Sequence, residues 1–124
     1  MTYQKFQDTS HDVRVDLSRA LQDVAHNREL LSDLAKFYAE DAPKICRDLE
    51  IAVAKESWDT VTRLAHSLKN MSSQFRAEPT TSLATKLEDL SRLRARDEIT
   101  GDFLASILES VDSVISELRK ANLR

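Results

Sequence analysis

Arg63-Leu64-Ala65-His66-Ser67-Leu68-Lys69-Asn70-Met71-Ser72-Ser73-Gln74-Phe75 has the hydrophobic spacing of a helix, yet its one imidazole stands off the hydrophobic stripe. At about 100° per residue, Val61, Leu64, Ala65, Leu68, Met71, Ser72 and Phe75 gather on one side, and His66 falls roughly 160° from their centre. Asp59, Thr62, Arg63, Lys69, Asn70 and Ser73 share the outer face with it. The pattern predicts a helix that presents a histidine to solvent between two cations. The rest of the chain is then what holds that helix in place.

Working outward, Ser57 is a suitable N-cap for this helix, which the spacing carries over 58–76. Upstream, Leu17, Ala20, Leu21 and Val24 predict a short helix from Asp16, closed at His26-Asn27, with Asn27 capping the next. That next helix carries Leu30, Leu31, Leu34, Phe37 and Tyr38, and the period continues past Pro43 through Ile45, Leu49 and Val53. Proline kinks or starts a helix, so the unbroken period favours one long bent arm or two helices nearly in line. Downstream, Ala77-Glu78-Pro79 breaks the histidine helix and starts another with Leu83, Ala84, Leu87, Leu90 and Leu93 on one side. Residues 94–97 read as a connection reaching toward Gly101. The last helix has Phe103, Leu104, Ile107, Leu108, Val111, Val114, Ile115 and Leu118 at spacings of three and four.

Four long amphipathic segments on short connections make antiparallel neighbours, and stripes of this width pack at small crossing angles. The expected fold is all-α: an up-and-down antiparallel four-helix bundle with a short additional N-terminal helix. Residues 1–15 are expected to be an N-terminal lead, irregular or a weak first turn, and 16–124 a single helical bundle.

The composition narrows the function. Charged residues make up 31% of the 124, and the net charge is −3, where a nucleic-acid surface would show a basic excess. No apolar run approaches the roughly 20 residues that cross a bilayer, and no secretory signal is expected from Met1-Thr2-Tyr3-Gln4-Lys5-Phe6. Cys46 is the single cysteine, which fits a reducing cytoplasm and behaviour as a small buried hydrophobe. Gly101 is the single glycine, so no Walker or Rossmann phosphate loop can be drawn. Any phosphoryl group this chain handles is expected to arrive attached to another protein.

A histidine near neutral pH is a nucleophile, a general base or a metal ligand. No HxxxH or cysteine pairing accompanies His66, and His11 and His26 lie far off and read as solvated or capping residues. The nearest acidic residue on its helix face is Asp59, two turns back, and no orienting carboxylate or cleft is evident. Nucleophilic attack on a phosphoryl group suits the site better. Arg63 and Lys69, one turn either side, are expected to disfavour protonation of the ring and to attract the incoming anion. Stretches such as Lys86-Leu87-Glu88-Asp89 and Arg94-Ala95-Arg96 read as solvated helix faces. Trp58 is expected at a bundle end, and Met71 at the edge of the stripe.

The run from Leu64 to Asn70, followed by Ser73, Phe75 and Ala77, resembles the signature of histidine-containing phosphotransfer (HPt) domains, (A)H-x-L-K-G-x-(SA)-x-x-(hydrophobic)-G-A. Phe37-Tyr38-Ala39-Glu40-Asp41-Ala42-Pro43, Glu56-Ser57-Trp58-Asp59 and Leu87-Glu88-Asp89-Leu90 resemble further parts of that family, so that the similarity covers roughly 16–121. The resemblance implies a stoichiometric phosphorelay intermediate without kinase activity of its own. His66 would accept a phosphoryl group from a receiver-domain aspartate, often on a hybrid sensor histidine kinase, and pass it to another response-regulator receiver. It implies a monomer with no intrinsic cofactor, Mg2+ belonging to the receiver partner. Lys69, Arg63, Asn70 and Ser73 would stabilise the phosphoryl group or dock the partner, with Thr62 and Asp59 on the partner surface. Two positions depart from the signature. Asn70 and Arg76 each stand where the family commonly has glycine, and Asn70 is expected to affect partner choice or rate more than fold. The alternatives are a bundle adaptor that binds a receiver or kinase without taking phosphate and, more distantly, a metal-binding bundle.

Overall fold

A chain with one glycine must end its helices on residues that carry a Cβ, and this shapes every connection. The computed structural model describes residues 15–121 and residue 123. The N-terminal lead, apart from Val15, and His11 with it, lie outside the described residues. Among the described residues five α-helices follow in order: α1 Leu17–Asp23, α2 Arg28–Ala54, α3 Trp58–Ser73, α4 Glu78–Arg92 and α5 Gly101–Ala121, with a 3-10 turn Arg96–Glu98 before α5. No strand occurs among the described residues. Asp16 and Asn27 cap α1 and α2 by accepting from the amides of Arg19 and Leu30. Pro43 lies inside α2, which runs through it as one helix. Pro79 sits in the first turn of α4, where its missing N–H costs nothing.

The first four helices end in the same way. Ala25, Glu56, Arg76 and Arg94 all have φ between 54° and 56°, in the left-handed region. At each end two crossed bonds close the last turn, as in Ala77 N–H to Ser72 O with Arg76 N–H to Ser73 O, or Ala95 N–H to Leu90 O with Arg94 N–H to Ser91 O. This double bond pattern satisfies carbonyls that the helix leaves open, and glycine usually supplies it. A side chain there costs about 1 kcal/mol or more. At Arg76 the cost has a visible return. Its guanidinium forms a fork on Asp23 of α1, Nε to Oδ2 at 2.9 Å and Nη2 to Oδ1 at 3.0 Å, and so ties the short helix to the end of α3. Asp23 is correspondingly held below the usual carboxylate range by that bond. Arg76→Gly is therefore expected to leave the urea midpoint nearly unchanged, because relieved backbone strain offsets the lost ion pair. It is also expected to speed amide exchange in α1; unchanged exchange there would refute the tether.

Each long helix packs on the next, and α5 returns to α2, which closes the four-helix bundle with α1 against α2. The core runs through Leu31, Tyr38, Leu49, Val61, Leu68, Phe75, Leu87, Ile107 and Val111, all almost fully buried. Tyr38 stacks edge-on to Phe75 and shares a hydrogen bond with the buried Ser72 hydroxyl. Cys46 is buried, and burial, with Asp112 and Glu50 nearby, pushes its thiol up to about 11. Trp58 is buried and Met71 packs against the core from its edge.

Two expected stripes are rotated from those read in the sequence. On α2 the buried face is Leu31, Tyr38, Ala42, Cys46, Leu49 and Ala52, and it leaves Leu30 and Phe37 exposed. On α4 it is Thr80, Ala84, Leu87, Glu88, Leu90 and Ser91, while Leu93 is the most exposed large hydrophobe among the described residues. Leu93 lies about 200° round the helix from Ser91, past the last full turn, and so points away from the bundle. A leucine-only reading of α4 tilts the buried face away from Glu88.

Candidate functional site

His66 is held on α3 by the buried residues on either side of it, Ala65 and Leu68, which leave its own side chain 53% exposed. The surrounding geometry is set by a residue from the neighbouring helix. Glu88 of α4 lies one position from Leu87 and four from Ala84, within the face that packs on α3, and its side chain is 2% exposed. Its carboxylate carries three donors. His66 Nδ1 approaches Oε2 at 2.9 Å, Lys69 Nζ donates to Oε1 at 2.8 Å, and Arg92 Nη2 donates to Oε2 at 2.9 Å. Burial alone would raise the pKa of this carboxyl group. The Lys69 bond does more in the other direction, and with the His66 bond and the Lys69 and Arg92 charges holds it below the usual glutamate range.

A carboxylate can only accept, so in the neutral ring the proton sits on Nδ1 and Nε2 keeps its lone pair. No hydrogen bond to Nε2 is made by any described residue. The two cations expected to flank a bare histidine are thus arranged differently. Lys69 is drawn down onto Glu88 with 27% of its side chain exposed, and the ring borders a carboxylate before it borders any cation. The solvated-face reading of Glu88 is overturned for the same reason, as is the expectation that no orienting carboxylate is present. His66 gives no linear motif with Glu88, since the pair is 22 residues apart on different helices. The available signal was a charged residue at the buried period Ala84, Glu88, Ser91.

A groove beside the ring runs between the first half of α3 and the end of α4. Its lining includes His66, Arg63, Thr62, Asp59, Arg92 and Arg94. Arg63 and Arg94 form no ion pair among the described residues. Thr62 lines the groove, but its hydroxyl is engaged inward, donating to Trp58 O at 2.9 Å and lying 2.7 Å from Ser91 Oγ. Asp59 is exposed at the groove's edge. Asn70 and Ser73 lie outside the groove, both exposed, and the Ser73 hydroxyl donates to the Asn70 carbonyl at 2.9 Å. The structure therefore gathers His66 and Lys69 on Glu88, and sets Arg63, Thr62 and Asp59 along the groove, away from Asn70 and Ser73. Among the described residues no group of three or more His, Cys, Asp or Glu side chains is placed to hold a metal ion. No described helix is long and apolar enough to cross a membrane.

Such a site offers one unprotonated nitrogen to an electrophile, a buried negative charge behind the ring, and arginines in front to receive an anion. A protein-family model, that of the Hpt domain, matches residues 33–121. No curated protein and no solved structure matches the chain.

Proposed function

Because the chain belongs to the Hpt domain family, whose members are phosphotransfer modules of two-component systems, we propose that it is a phosphorelay intermediate with His66 as phosphoacceptor. The observation that carries the reading is the bond from His66 Nδ1 to the buried Glu88, which leaves Nε2 as the nucleophilic nitrogen on an exposed face.

The Nε2 lone pair attacks the phosphorus of a receiver's aspartyl phosphate. The N–P bond forms as the aspartyl O–P bond breaks, and the leaving carboxylate takes the electron pair. The Nδ1 proton stays where it is. The ring becomes positively charged, and the Glu88 carboxylate, already in contact, stabilises that charge. Lys69 and Arg92 keep Glu88 ionised. The reverse step, onto a second receiver's aspartate, uses the same geometry. The receiver supplies the Mg2+, and the hybrid sensor histidine kinase that charges the first receiver lies upstream. The protein acts in the cytoplasm as a stoichiometric carrier, as a monomer and without kinase activity of its own.

The test is incubation of the chain with a phosphorylated receiver domain. The expected result is a label on this chain, at up to one phosphate per molecule, that is lost in acid and kept in base. Binding of the receiver without any such label would overturn the relay reading in favour of an adaptor.

A further inference from the structure

We propose that the Thr62–Ser91 hydroxyl pair is the positioning device of the site: it fixes α4 on α3 at the register that sets Glu88 against the His66 ring. The inference rests on the reading that Nε2 accepts phosphate, and adds what keeps that nitrogen unprotonated. Thr62 stands four residues before His66 on α3, and Ser91 three residues after Glu88 on α4. The pair therefore bridges the two antiparallel helices one turn from the histidine–glutamate contact. Its oxygens lie 2.7 Å apart. Thr62 Oγ1 is also 2.9 Å from the Trp58 carbonyl oxygen, and Ser91 Oγ is 2.8 Å from the carbonyl oxygen of Glu88 itself. Two protons thus serve three contacts. With one of them on the bridge, the other reaches a carbonyl whichever way the bridge points.

The other contacts around Glu88 do not set the register so closely. Apolar burial of Ala65, Ala84 and Leu87 resists separation of the helices, but it is non-directional and tolerates a small slide or rotation. Lys69 and Arg92 reach the Glu88 carboxylate on long flexible stems, which follow that carboxylate rather than place it. A hydroxyl on Cβ has one rotatable bond to the backbone, and here a carbonyl one turn back holds each in its rotamer. Displacing α4 would break the bridge where Ser91, at 1% exposure, has no water to replace Thr62. With the register lost, Oε2 leaves Nδ1 and the ring distributes its proton over both nitrogens. A neutral ring protonated on Nε2 has no lone pair there to attack phosphorus.

The experiment reads the His66 tautomer from ring 15N shifts in the unloaded 124-residue chain, in mildly alkaline buffer where imidazole is neutral. It also follows labelling by phosphoramidate, a donor too small to need a docking surface. Ser91→Ala and Thr62→Val are each expected to move part of the ring's proton onto Nε2 and to slow labelling about fivefold, the equivalent of one net hydrogen bond. The double variant is expected to be no slower than either single one, because both remove the same bridge. Thr62→Ser, which keeps the hydroxyl, is expected to match wild type in tautomer and rate. Tyr38→Phe removes another buried bond between helices, Tyr38 to Ser72, and is expected to lower the urea midpoint while leaving tautomer and rate unchanged. An unchanged tautomer in Ser91→Ala, an equal change in Tyr38→Phe, or single effects that multiply in the double variant would each overturn the assignment. A wild-type chain that takes up no phosphate, from phosphoramidate or from a receiver, defeats the relay reading, and the tautomer comparison still decides the positioning role on its own.

Discussion

His66→Gln is expected to reduce acid-labile labelling from a phosphorylated receiver to below about one per cent of wild type, with the bundle intact. Glutamine has no lone pair of comparable nucleophilicity, and the other imidazole among the described residues, His26, is on the turn after α1 and does not line the groove. The fold is expected to survive because the His66 side chain is about half exposed and its neighbours Ala65 and Leu68 carry the packing. A glutamine amide also retains a donor for Glu88. The urea midpoint should therefore correspond to a stability within about 0.5 kcal/mol of wild type. Labelling that persists in the folded variant would place the phosphate on another residue. A variant that binds the receiver as wild type does, while taking no label, is the outcome that separates docking from chemistry.

The histidine and its helix were legible because both rest on a local period. The residues of α3 at 61, 64, 65, 68 and 72, and Phe75 in the turn after it, are buried as the wheel predicts, and His66 faces out. Four amphipathic segments on short connections likewise predict a bundle, because each stripe has to be covered by its neighbours. Glu88 was not legible in that way. Its importance depends on α4 burying Glu88 and Ser91 beside Ala84, Leu87 and Leu90, and a hydrophobicity pattern discounts a glutamate and a serine. Leu93 and Phe37 misled for the complementary reason: they are hydrophobic residues at nearly the right spacing that the bundle leaves exposed, while Ser91 and Ala42 are buried. Arg76 shows a third limit. The left-handed backbone there suits the glycine that the family commonly has, and the arginine is accounted for by its fork onto Asp23, a contact 53 residues away in sequence.

Glu88→Gln should separate holding the ring from charging it. The amide is nearly the same size and its oxygen can still accept from Nδ1, so the ring keeps its tautomer and position while the negative charge is gone. An imidazolium and a carboxylate at about 4 Å attract by about 4 kcal/mol at an effective dielectric constant of 20. Lys69 and Arg92 on the same carboxylate, and the half-open ring, reduce the part realised during attack to about 2 kcal/mol, or roughly 30-fold in rate. Phosphoryl acceptance from the receiver is thus expected to slow by about 10- to 100-fold, with unchanged 15N shifts at the ring. Equal rates would mean that the carboxylate does no more than pack α3 on α4. Stability gives an independent signature. The folded carboxyl is held below its ordinary value by Lys69, with help from His66 and Arg92, so folding favours the ionised form. The stabilisation is complete above the unfolded glutamate value, about 4.3, and is lost as pH falls through the lower folded value. The stability gap between wild type and Glu88→Gln, measured by urea titration, should therefore be full at pH 6 and narrow steadily in acid. A gap that stayed constant down to pH 3 would show that the carboxylate's charge contributes nothing to the fold, and would remove the electrostatic basis for the rate effect with it.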